Sequence, residues 1–104
     1  MYDTASADAV EERAPGMTFL RDALNCEHLG VTLLEAESGW EGTPHDHADD
    51  GQEEVYLLLD GTATVTIEGE SVAMESGDAV RIDPDATREI TVEEPATFVL
   101  AGAP

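Results

Sequence analysis

Lysine is absent from this chain, and its four basic residues, all arginine, stand against 24 aspartates and glutamates for a formal net charge of −20. A surface of that sign repels phosphate backbones and anionic headgroups, so no nucleic-acid partner and no membrane partner are expected. Cys26 is the single cysteine, which excludes an intrachain disulfide and gives no reason to expect an oxidising compartment. Long hydrophobic runs are missing too. The stretch ValTyrLeuLeuLeu at 55–59 is far too short to span a bilayer. The opening MYDTASADAVEERAPG is acidic and lacks the basic-then-apolar order of a signal peptide. These absences predict a soluble, cytoplasmic protein.

The acidic excess carries a further expectation. Self-repulsion at this charge works against compactness, and molar salt relieves it by cutting the Debye length to about 3 Å. The composition therefore reads as halophilic; an ordinary acidic protein or an acidic partner-binding module is the alternative.

A chain of 104 residues supports one modest core and one domain. Residues 1–14, rich in Ala, Ser, Asp and Glu, read as a flexible acidic segment, and Pro15-Gly16 marks entry to a folded unit over 15–104. Residues 18–24 suggest one helical turn after a short strand, since Leu20 and Leu24 lie four apart. From Gly30 onward, short β-branched segments divided by turn residues predict strands over 30–37, 52–59, 62–68, 71–75, 78–82, 87–92 and 96–101. GluGlyGluSer at 68–71 reads as a hairpin turn. Many short strands without a long helix define an all-β sandwich or barrel.

The chemistry concentrates in GWEGTPHDHADDGQEEVYLLLDG, residues 39–61. In an extended chain His45 and His47 point the same way while Asp46 faces solvent, so both imidazoles can share one ion. Glu54 adds a carboxylate from the next segment. Two His and one carboxylate suit a divalent transition metal (Fe, Mn, Ni, Co or Zn) and leave coordination positions open. The alternative is a chance proximity of loop histidines and a strand carboxylate without metal. Asp46, Asp49 and Asp50 read as a solvated charge run, His28 as a surface residue, and Cys26 as having no catalytic role.

These residues resemble the first motif of the cupin family: Gly39, five residues to His45 and His47, then Glu54 and six residues to Gly61. The interval between His47 and Glu54 is two or three residues longer than the family's usual one, and a Gly-containing loop can absorb it. Spacing to Gly61 selects Glu54 over Glu53, which then faces outward. The second motif keeps Gly77 but has Asp83 and Asp85 in place of its proline and glycine, Arg88 in place of its metal-binding histidine and Val92 in place of its asparagine. Arginine offers no lone pair, so Arg88 cannot be a ligand.

The resemblance implies a double-stranded β-helix, or jelly-roll barrel, over roughly 17–104. It implies a small cupin holding one divalent metal and acting on a small anionic metabolite in a dioxygenase- or isomerase-like reaction. The alternative is a metal-free small-molecule-binding or sensing module. Arg88 can anchor an anionic ligand, pair with Glu54 in place of the metal's charge, or project into solvent. Trp40 and Tyr56 are candidates for ligand contact, with core packing as the plainer role. If Glu54 points inward with Tyr56 and Leu58, then Val55, Leu57 and Leu59 form a second apolar face, which predicts a homodimer.

Overall fold

A computed structural model describes all 104 residues. Eight strands make up almost all of its regular structure: β1 (Met17–Phe19), β2 (Gly30–Ala36), β3 (Glu53–Asp60), β4 (Thr62–Ile67), β5 (Glu70–Glu75), β6 (Ala79–Ile82), β7 (Arg88–Val92) and β8 (Ala96–Ala103). They form two antiparallel sheets, a five-stranded one in the order β1-β2-β8-β3-β6 and a three-stranded one in the order β5-β4-β7. Strand-by-strand alternation builds this sandwich. Along β8 every second residue, Ala96, Phe98, Leu100 and Gly102, is buried, and the inward residues of β3 are Glu54, Tyr56 and Leu58. Facing them, Ala63, Val65, Met74, Ile90 and Val92 of the smaller sheet close one apolar core.

The seven predicted strands match the observed ones to within two residues at each end. The hairpin at 68–71 is a two-residue connection: Ile67 pairs with Glu70, and Glu68 and Gly69 both take positive φ, at 48° and 79°. That is the type I′ geometry whose twist suits antiparallel strands. Gly61, which closes the first motif, has φ of 94°, and a Cβ there would run into the carbonyl of Pro95. Only glycine fits both constraints.

The 18–24 segment is divided between β1 and a turn. Its one helical feature is the bond from the Leu24 amide to the Leu20 carbonyl, 3.0 Å long. The acidic residues before Ala14 are mostly exposed and carry a single 3-10 turn, Ala7–Ala9. The chain docks at Pro15, whose carbonyl accepts a 3.2 Å bond from Trp40 Nε1. No helix is long and apolar enough to cross a membrane.

Candidate metal centre

The segment preceding β3 runs beside β7 as an irregular extra strand. The Gly42 amide bonds the Ile90 carbonyl at 2.9 Å, and His45 and Arg88 exchange two backbone bonds of 3.0 and 2.8 Å. The pairing fixes His45 at the mouth of the smaller sheet. The His47 amide then bonds the Pro84 carbonyl at 2.7 Å, and a turn closed by Gly51 N–H to the His47 carbonyl, 2.8 Å, leads the chain into β3 of the larger sheet. Both histidines thus come from the edge of one sheet and Glu54 from the inner face of the other. The extra residues between His47 and Glu54 are taken up entirely in that turn.

Donor atoms of His45, His47 and Glu54 lie within 4.8 Å of one another, so these three residues can hold a metal ion. Each imidazole is already oriented. His45 Nδ1 donates to the Thr43 carbonyl at 3.0 Å, and His47 Nδ1 donates to both carboxylate oxygens of Asp50 at 3.1 Å. A carbonyl and a carboxylate only accept, so both Nδ1 atoms carry a proton, which leaves Nε2 as the metal-binding nitrogen of each ring. His47 Nε2 is 3.3 Å from Glu54 Oε1. Ligands held about 2.0–2.2 Å from one ion sit roughly 3.0–3.5 Å apart, so this edge needs almost no adjustment. The donor set therefore fits a divalent transition metal.

Asp50 corrects the reading of the loop acids as solvated charge. Its carboxylate locks the tautomer of His47, and that hydrogen bond holds its pKa below the ordinary 3.8. A lowered folded value means that the contribution is present above the ordinary pKa and is lost as pH falls through the lowered one. We expect Asp50→Ala to weaken metal binding roughly 10- to 100-fold, read by competition against a chelator. An unchanged affinity would reduce Asp50 to a loop residue.

Glu54 gathers three neighbours on one oxygen. Besides His47, the Tyr56 hydroxyl donates to Oε1 at 3.3 Å, and Arg88 Nη1 lies 3.8 Å away. Burial, and next the charge of Glu54, push the Tyr56 phenol well above its usual value, so the hydroxyl stays protonated as a donor. Arg88 is 1% exposed, which excludes the solvent-facing reading. Its Nη2 donates to the Asp83 carbonyl at 2.8 Å, while Nε and Nη1 have no hydrogen-bond partner. It stands behind Glu54 and lines neither of the two cavities at the site.

The remaining residues fall into place by burial. Glu53 points outward, its Oε2 2.9 Å from Arg81 Nε. His28 is exposed beside Glu27, away from the centre. A cavity of about 290 Å³ opens over His45, His47 and Glu54, and Arg21 stands in its wall. Trp40 and Tyr56 line an adjoining cavity of about 470 Å³. No sequence pattern pointed to Arg21, which enters the cavity wall from the connection after β1. Asp50 carried one weak sign, its place three residues after His47.

The fold and this donor set belong together in one class. The cupin domain family matches residues 32–102, and the chain belongs to that family. Among solved structures it is similar to a cupin protein from Bacteroides fragilis, with 28% identity over 98% of this chain and 83% of that one and a TM-score of 0.82. KdgF from Halomonas sp. shares 22% identity over 90% and 84% of the two chains, with a TM-score of 0.74. A candidate sugar phosphate isomerase from Acidithiobacillus ferrooxidans shares 26% over 85% of this chain and 59% of that one, with a TM-score of 0.68. No curated protein matches the chain.

Proposed function

We propose that this cupin holds one divalent transition metal through His45, His47 and Glu54 and binds a small metabolite over the ion's open face. The observation that carries the reading is the pair of histidines with both Nδ1 atoms engaged, which leaves Nε2 of each ring as the donor beside a carboxylate. A bound ion there supplies Lewis acidity toward a substrate oxygen or, with a redox metal, a site for O₂, which suits isomerase or dioxygenase chemistry. The chain's own groups set the rest. Asp50 and Thr43 orient the imidazoles, and Tyr56 steadies Glu54. Similarity to a candidate sugar phosphate isomerase puts sugar phosphates in the ligand screen.

Elemental analysis of protein purified at high salt without a histidine tag tests the reading. Near-stoichiometric metal in the wild type and its loss in His47→Ala are expected. No metal after incubation with Fe, Mn, Ni, Co and Zn would sink it. A metal-free binding module then becomes the reading, favoured by the approach of Arg88 to Glu54 at 3.8 Å.

We also propose that the chain works as a homodimer in a salt-rich cytoplasm. The outer face of the larger sheet carries Leu33, Val99 and Leu57 in one cross-strand row and Val31, Ala101 and Val55 in the next. Val55 and Leu59 are 39% and 49% exposed. An apolar ribbon on a chain of charge −20 is the surface on which two copies meet with least repulsion. Light scattering in molar KCl should give a dimer that Leu57→Asp splits, with the melting temperature rising as salt is added. A monomeric wild type at every salt concentration would refute the pairing.

A further inference from the structure

Two cavities meet at the metal centre, and they differ in chemistry. Both share Met17, His45, Tyr56 and Leu100 as walls, so the two spaces adjoin at a metal donor. The smaller has Arg21 and the three candidate ligands around it. The larger, about 470 Å³, is walled by Trp40, Ile90, Met17 and Leu100, and no arginine or lysine lines it. That volume lies within the roughly 300–1,000 Å³ of small-molecule sites, where apolar walls take the body of a ligand and a few polar groups fix its head.

The positions of the basic residues restrict what can enter. Arg13 is paired with Asp22, Arg81 lies outside with Glu53 and Asp83, and Arg88 is enclosed behind Glu54. Arg21, whose Nη2 donates to the Glu27 carbonyl at 3.1 Å, is the one arginine in the cavity wall, and there is no lysine. A phosphate in the larger chamber would meet no arginine or lysine, the residues that phosphate recognition calls for. The space beside Trp40 is kept open by Gly42, where a Cβ would lie 3.1 and 3.2 Å from the indole ring.

We propose that the ligand of this centre is a small oxygen-donor acid with an uncharged apolar body: its head meets the metal and Arg21, and its body fills the Trp40 chamber. A sugar phosphate lacks such a body. The proposal rests on the metal reading above and narrows it to one class of ligand.

Phenyllactate and lactate share one chelating head and differ in the ring, so their ratio reads the chamber. The full chain, loaded with Co²⁺, is titrated with each and with fructose 6-phosphate. Visible absorption of the ion follows the head, and emission of Trp40, the only tryptophan, follows the body. Phenyllactate should bind at least about tenfold more tightly than lactate, as burial of a ring implies, and should perturb Trp40 emission. Gly42→Val, which crowds the chamber, should bring the ratio toward one. The wild-type comparison decides even if that variant fails to fold. Equal affinities, or tighter binding of fructose 6-phosphate, would overturn the proposal while leaving the metal reading intact. If no Co²⁺ is taken up, the metal reading fails. Trp40 in the metal-free chain then still decides the chamber, because a response no stronger to phenyllactate than to lactate overturns it.

Discussion

Replacing Glu54 with alanine in the metal-free chain is expected to cost about 3 kcal/mol of stability, although it removes one negative charge from a chain that carries far too many. The opposing effects have different ranges. Relief of general self-repulsion is spread over a screened surface and nearly vanishes at molar salt. The loss is local. The Arg88 side chain is 0% exposed, its Nη1 lies 3.8 Å from Glu54 Oε1, and Nε and Nη1 have no other partner. Without Glu54 a buried guanidinium keeps only the Asp83 carbonyl, and an uncompensated buried charge dominates the balance. Denaturant unfolding in molar KCl with chelator present measures the effect without any contribution from metal. The double variant Glu54→Ala/Arg88→Met should recover most of the loss, because it removes both charges together. A single variant within about 0.5 kcal/mol of wild type would mean that Arg88 is not held by Glu54.

The legible part of this protein is the part written in short-range pattern. Alternation put Glu54, Tyr56 and Leu58 on one face of β3 before any partner strand was known, and the observed burial turns that face inward. GluGlyGluSer at 68–71 announced its hairpin because alternating segments flank a glycine, although the connection itself, Glu68-Gly69 with both φ angles positive, lies one residue before the gap between the predicted strands. His45 and His47 were legible as a pair for the same reason, since an extended backbone fixes their common side. What escaped was set by contacts distant in sequence. Arg88 admitted three readings because nothing near it in the chain reveals that Glu54, 34 positions earlier (88 − 54), lies against it. Arg21 enters the cavity wall through a turn whose pattern resembled a helix as much as a loop. Asp50 looked like one more acid in an acidic chain, and only the turn closed by Gly51 onto the His47 carbonyl brings it to Nδ1.

Glycine at position 102 offers a test of how tightly the donor set is built. Gly102 of β8 lies directly across from Glu54 in the strand register and is buried. A Cβ placed there would fall 2.9 Å from Glu54 Cγ, 3.1 Å from the Glu53 carbonyl oxygen and 3.3 Å from Gln52 Oε1. The backbone of β3 cannot retreat without breaking its ladder to β8, so the Glu54 side chain must yield. Moving it away from β8 disturbs the 3.3 Å edge with His47 on which a shared ion depends. Gly102→Ala is therefore expected to weaken metal binding by at least about tenfold, within the range seen when a ligand's support is disturbed. It should also cost about 1–3 kcal/mol in overpacking, and Gly102→Val more. The control is Gly30→Ala in the neighbouring strand, where the added Cβ meets only the Gly102 carbonyl oxygen at 3.7 Å, an ordinary contact. Chelator competition on the two folded variants separates the outcomes. Loss at 102 without loss at 30 means that the close approach of β8 holds Glu54 in place to share an ion with His47. Equal affinity in both would mean that Glu54 adapts freely, and that the carboxylate contributes little to holding an ion.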